Sequence, residues 1–203
     1  MDFDDSESLI HALRGVDLVV STVGQDPQLN LIAAAAAVHV QRFVPSSFSG
    51  PEQVAASPVD QDSWNGTIQQ LQYHQAVGTM NYTVFTCGVF FERFSPGGLN
   101  SLQISTSNSH HRALGEEGAF LVDLRNGTAT IPIINDTQEL SICLTSARDA
   151  ARYVVSSIRV YEDISMWPTE LKFSTERLTM SQLVDVCSRA RGESSTSGNG
   201  RVS

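Results

Sequence analysis

The 203-residue sequence predicts an α/β fold, part of a doubly wound parallel sheet followed by a smaller α+β lobe, and three stretches carry that prediction. Val16, Leu18, Val19 and Val20 form an apolar run without strict alternation, the pattern of a strand covered on both faces in a parallel sheet. Leu29 to Val38 is a run of helix formers with a block of alanines. Gln41 to Val44 supplies a second short apolar run, and Pro45 ends it. Strand, loop, helix, strand and loop in that order are half of a dinucleotide-binding sheet, whose ligands lie outside the carboxyl ends of the strands. Thr22, Val23 and Gly24 stand at the first of those ends, and Ser46, Ser47 and Phe48 at the second.

In chain order, an acidic lead-in from Asp2 to Asp5 precedes a short helix through Leu9, Ile10, Ala12 and Leu13, with Ser6 as cap and Gly15 as stop. Past Phe48, Gly50, Pro51 and Pro58 mark Ser49 to Ser57 as a surface loop. A helix is expected over Thr67 to Val77, ended by Gly78, and a strand over Tyr82 to Thr86. Phe90, Phe91 and Phe94 read first as core and second as a substrate wall; Pro96-Gly97-Gly98 then turns the chain. Asn100 to Gly118 is polar, and its adjacent His110 and His111 point apart with no third ligand at a metal spacing, so they read as loop histidines. Phe120 to Leu124 and Thr128 to Ile134 are two strands joined at Asn126-Gly127, a strong hairpin signal. Ser146 caps a helix with Ala147, Ala150, Ala151, Val154 and Ile158 as its buried stripe. Leu171 to Ser174 is strand-like, Thr179 caps a last helix over Ser181 to Arg189, and the Ser- and Gly-rich residues from Glu193 onward read as a disordered tail.

Composition narrows the partners. A net charge of −9 without a basic stripe argues against nucleic acid. No run reaches the length of a membrane span, and the acidic start has no signal-peptide pattern, so a cytoplasmic protein is expected. The three cysteines, Cys87, Cys143 and Cys187, have no C-x-x-C spacing and read as reduced thiols. Asn-x-Thr matches at Asn65, Asn81, Asn126 and Asn135 have no weight without secretory targeting. A complete dinucleotide domain opens on a strand and G-x-G-x-x-G, which lets pyrophosphate approach a helix N-terminus. That motif is not in this sequence, so the expectation is a partial Rossmann-like sheet lacking its first strands and Gly-rich loop, with about seventy N-terminal residues absent if two strand-helix units are missing.

Read together, GVDLVVSTVG, LIAAAAAVHVQRFVPSSF, YTVFTCGVFFERFSPGGL, LTSARDAARYVVSSI and WPTELKFSTERLTMSQLVDV resemble the NmrA-like and isoflavone-reductase-like family of atypical short-chain dehydrogenases. The segments keep the family's order over most of residues 1 to 192, and CGVFFERFSPGGL looks more like the fungal NmrA-like proteins than the plant reductases. The resemblance implies an oxidoreductase-type fold binding NADP or NAD. Thr22, Val23 and Gly24 would lie near the nicotinamide ribose and pyrophosphate, and Pro45, Ser46, Ser47 and Phe48 would form the P-S-E-F loop, with Ser47 in place of Glu and Ser49 in place of the following Gly. Gly88, Val89 and Phe90 would line the nicotinamide and substrate cleft. It divides the chain into a partial NAD(P)-binding domain at 1–95, a substrate-binding lobe at 96–192 and the tail at 193–203.

Catalysis is where this sequence departs from the family. Its reductases carry a Lys early in the helix before the Y-T strand, a position that counts back to Thr67, Ile68 or Gln69, none of which is a general acid near neutral pH. The chain's single lysine is Lys172. Tyr73 has Val77 where a Y-x-x-x-K partner would stand, which leaves His74 as the weak substitute acid and no other catalytic candidate. Three functions stay open: an NAD(P)H-dependent reductase of small carbonyl or aromatic substrates, a non-catalytic NAD(P)-sensing regulator with a protein partner, and an inactive truncated fragment.

Overall fold

The computed structural model describes residues 2–23, 25–46, 48, 58–95, 97–102, 121–131 and 140–192. In chain order the elements are α1 (Ser6–Leu13), β1 (Leu18–Val20), α2 (Gln25–Ala37), β2 (Arg42–Val44), α3 (Pro58–Ala76), β3 (Asn81–Tyr82), β4 (Val84–Thr86), β5 (Val89–Phe90), β6 (Val122–Asp123), β7 (Thr128–Ala129), β8 (Ser141–Thr145), α4 (Ala147–Val160), β9 (Glu170–Lys172), β10 (Glu176–Thr179) and α5 (Met180–Ala190). They group into two units, Met1–Gly88 with Arg148–Phe173, and Val89–Ala147 with Ser174–Ser203. The expected loop at Ser49–Ser57, the paired histidines and the tail fall outside the described residues.

In the first unit β1, β2 and β3 form a parallel sheet in that order, with Val19 opposite Phe43 and Phe43 opposite Tyr82. All three residues of β2 are buried, which is why the run from Gln41 to Val44 shows no alternation. Leu9 and Leu13 of α1, Leu31, Ile32 and Ala35 of α2, and Leu71 of α3 pack with Phe43 in one apolar cluster. The cap of α1 is Asp5 rather than Ser6, because its carboxylate accepts the Glu7 N–H at 3.0 Å. Gly15, at φ +75°, closes that helix. Both later helices start earlier than expected: α2 by a turn, since Pro27 sits where no intrahelical bond is lost, and α3 at Pro58 rather than Thr67.

The strand expected over Tyr82–Thr86 is two strands. The Thr83 N–H donates to Phe43 O (3.0 Å), completing the ladder with β2, and the Val84 N–H donates to Thr169 O (2.8 Å), beginning a parallel pair of β4 with β9. That pairing places β9 and α4 in the first unit, so the division differs from a boundary at 95/96; a pairing across more than eighty residues leaves no periodic trace in sequence. On α4 the buried positions are Ala150, Val154 and Ser157, while Ile158 is 40% exposed. Ser157 is accommodated because its hydroxyl donates to the Tyr153 carbonyl of its own helix (2.9 Å).

The second unit is built on β8, which is antiparallel to β10 and parallel to β5. Neither β8 nor β10 is among the elements the sequence predicts. Val89, Val122, Ile142, Leu144, Met180, Leu183 and Cys187 form its core. The hairpin stands where expected, with Val122 opposite Ala129 and Asp123 opposite Thr128, and Gly127 takes φ +65° in its turn. Thr179 caps α5 as expected, and Gln182 completes a capping box with it.

Candidate functional site

Three loops leave the carboxyl ends of β1, β2 and β4, and backbone bonds hold them together. Ser21, 2% exposed, donates its N–H to Val44 O (2.8 Å), one step beyond the β1–β2 ladder. Thr22 follows with an exposed side chain, and Val23 is half-buried against the apolar cluster. After β2, Pro45 is fully buried and the Ser46 N–H donates to Gln28 Oε1 at 2.6 Å. The Phe48 carbonyl accepts the Cys87 N–H (3.2 Å), tying the second loop to the end of β4, where Gly88 takes φ +73°. Gly24 and Ser47 lie outside the described residues.

The structure thus brings Thr22, Val23, Pro45, Ser46, Phe48 and Gly88 to one end of the parallel strands. Val89 and Phe90 belong to β5 of the second unit, where Val89 is core and Phe91 and Phe94 pack against it.

Gln28 is a functional candidate that the sequence did not single out, and its partner is Thr67, one of the three residues counted for the family's Lys. Gln28 is 4% exposed and Thr67 1% exposed. Because the Ser46 N–H requires the amide oxygen, the Gln28 Nε2 is left to donate to Thr67 Oγ1, at 3.3 Å. One buried amide therefore bridges α2, α3 and the loop after β2. A signal for it existed: Gln28 precedes Leu31, Ile32 and Ala35 at the spacing of one helix face, and all three are buried. Thr67 is the first of the three residues, Thr67 to Gln69, among which the family's Lys is expected, and it stands in a neutral hydrogen-bonded pair with Gln28.

His74 is elsewhere. It lies in the last turn of α3, its Nδ1 3.0 Å from Thr79 Oγ1, whose hydroxyl donates to the His74 carbonyl (3.1 Å). With that proton committed, the Thr79 oxygen accepts from Nδ1–H. The Asn81 N–H at the start of β3 bonds Gln41 O, so this turn serves the amino ends of the strands, opposite to the loops.

A second buried polar network backs the sheet. Arg42, 3% exposed, donates through Nη1 to Tyr82 O (2.9 Å) and Thr83 Oγ1 (2.8 Å), and through Nη2 to Ser165 O (3.2 Å). Thr83 passes the chain on to Pro168 O at 2.7 Å. Burial lowers the guanidinium pKa and the nearby Asp163 charge opposes that shift. Asp163 itself is held below the usual carboxylate range, first by bonds from Ser165 and then by Arg42. Burial pushes the Cys87 thiol up to about 11, so it is no nucleophile at neutral pH. Cys87, Cys143 and Cys187 are free thiols, and no group of metal-ligating side chains occurs among the described residues. A shallow groove of about 50 Å³ in the second unit, between the hairpin and α5, is lined by Val122, Leu124, Val184, Cys187 and Arg191, and holds none of the predicted site residues.

Known proteins bear on this arrangement. The model of the NmrA-like family matches residues 1–197. The chain is similar to isoflavone reductase of Glycine max, 28% identical over 191 residues that make up 89% of this chain and 58% of the relative. Among solved structures it resembles AtPrR2 with NADP+ and (+)pinoresinol, with TM-score 0.61 and 19% identity over 95% of this chain and 58% of that one. Leucoanthocyanidin reductase from Vitis vinifera, in a ternary complex, gives TM-score 0.56 and 19% identity over 94% and 59%. The fold is thereby a Rossmann-like α/β fold, and the chain spans about 58% of the length of these relatives.

Proposed function

The chain belongs to the NmrA-like family, and on that premise we propose that its strand-end loops meet the nicotinamide half of NADP or NAD without carrying out reduction. One observation carries this reading: none of Thr67, Ile68 and Gln69, among which the family's Lys is expected, can deliver a proton to a carbonyl near pH 7, and Thr67 is buried and bonded to the neutral Gln28. Around it the loop of Thr22 and Val23, the loop of Pro45, Ser46 and Phe48, and Gly88 offer backbone at the carboxyl ends of parallel strands, where such ligands bind. The second unit is the substrate or effector lobe in this reading. A dinucleotide-responsive regulator acting on a protein partner is the role such a site serves best.

The test is a titration of the 203-residue chain with NADPH, followed by nicotinamide fluorescence. No Gly-rich loop in this sequence holds the pyrophosphate, so binding is expected to be weaker than micromolar; micromolar affinity would overturn that expectation, and no binding at millimolar NADPH would overturn the cofactor reading. A reductase is the second reading, favoured by the relatives' names. If the chain oxidises NADPH with any aldehyde, ketone or quinone of a panel and His74→Ala abolishes the turnover, the non-catalytic reading falls.

A further inference from the structure

We propose that Gln28 is the positioning residue of this site, holding the turn after β2 in its ligand-ready shape before any ligand arrives; the inference rests on the cofactor reading above. The turn is pinned at both ends by different means. At Phe48 the carbonyl is taken by the Cys87 N–H, a backbone bond that any residue could make. At Ser46 the N–H has no strand to pair with, since the β1–β2 ladder ends one residue after β1 with Ser21 on Val44. Its acceptor is a side chain from a helix eighteen residues earlier, at 2.6 Å. An unpaired N–H at that depth would turn toward water or another acceptor and carry the turn with it.

Gln28 is suited to the task because its oxygen and nitrogen face opposite ways and both are used. The nitrogen, anchored on Thr67, prevents the amide from flipping, so the oxygen is held toward Ser46 without solvent. Thr67 therefore acts through Gln28. In the stretch Thr67 to Gln69, where the family's Lys is expected, this chain has a hydroxyl that serves the loop, a binding site kept in shape rather than a proton donor. The buried bridge also joins the two helices that pack against each other, α2 and α3, so that loop geometry and helix packing are set by one group.

The experiment uses the full chain and reads the loop and the ligand separately. In a ¹⁵N-labelled protein, Gln28→Met, which keeps length and apolar fit but removes the acceptor, is expected to speed hydrogen exchange of the Ser46 amide roughly tenfold or more while α1 amides stay unchanged. Gln28→Glu keeps an oxygen for Ser46 and lets the Thr67 hydroxyl donate to the other, so it is expected to restore slow exchange; a purely space-filling role would favour Met over Glu. NADPH titrated into the same samples is expected to shift Ser46 and Phe48 amides at about tenfold lower concentration in wild type and Gln28→Glu than in Gln28→Met. Equal Ser46 exchange in wild type and Gln28→Met would overturn the proposal, as would equal NADPH affinity. If NADPH shifts nothing in wild type, the cofactor reading fails, while the Ser46 exchange rates decide separately whether Gln28 holds the turn.

Discussion

In the first unit the interior contains Ser21, Gln28, Arg42, Thr67, Thr83 and Ser157, none more than 4% exposed, whereas the buried set around β8 in the second is almost wholly aliphatic, with Thr145 its polar member. Polar contacts in the second unit are part-buried at Thr145, whose hydroxyl oxygen accepts the Thr175 N–H (3.3 Å), and lie at the surface in the Thr179–Gln182 capping box and the Arg191 guanidinium on the Leu124 carbonyl. The contrast shows what each interior does. Aliphatic packing fills volume and tolerates small shifts, while a buried hydrogen bond fails when its partner moves by an ångström. Buried polar groups therefore stand where loop geometry has to be held, at the carboxyl ends of the parallel strands and along the Arg42 network behind them.

The sharpest test of that contrast pairs one substitution from each interior. Arg42→Met leaves the Tyr82 and Ser165 carbonyls without their charged donor and is expected to cost about 3 kcal/mol in urea unfolding. Leu144→Ala is expected to cost about the same through its cavity. Should Arg42→Met cost under about 1 kcal/mol, the polar interior is dispensable and the contrast is lost.

Thiol chemistry separates the two units next. Cys143 is exposed on β8 and Cys87 fully buried, so iodoacetamide at pH 8 is expected to label Cys143 while Cys87 reacts roughly a hundredfold more slowly, read by peptide mass spectrometry. Early labelling of Cys87 would mean that the first unit opens readily. The same group gives a pH dependence with a definite sign. Its folded-state pKa, about 11, stands above the ordinary 9.0, so its contribution to stability is complete below pH 9 and is lost as pH rises through 11.

Smaller effects follow at the surface. Thr179→Ala removes the capping box and is expected to cost about 1 kcal/mol. His74→Ala is expected to cost under about 0.5 kcal/mol and to leave NADPH binding unchanged, because the ring meets the exposed turn at Thr79 and the edge of the exposed Tyr73 ring. A loss of NADPH affinity there would place His74 at the site and reverse the reading of α3.

Much of this was legible in the chain. The β1–α2–β2 order, the hairpin at Asn126-Gly127 and the cap at Thr179 follow from local pattern, and the structure has each of them. Thr22, Val23, Ser46 and Phe48 could be placed at strand ends from the sequence, because that placement needs only the strands. Gln28 and Arg42 were missed, and with them the bond that Thr67 makes, because their burial depends on partners tens of residues away: Gln28 reads as a polar residue near a helix start until Ser46 and Thr67 are seen against it. His74 drew notice by residue type, and residue type does not say which end of a helix faces a site.

The sequence by itself determined that β1 and β2 are buried strands of a parallel sheet, where their loops begin, and that Thr67 cannot supply a proton. Only the tertiary structure decided that the strand from Tyr82 changes partner at Thr83, that β9 and α4 return to the first unit, and that one buried amide holds the Ser46 turn. The physical reason is range. Periodicity and capping act within a few residues and leave a local record, whereas strand pairing and buried hydrogen bonds join groups that only the folded chain brings within three ångströms of each other.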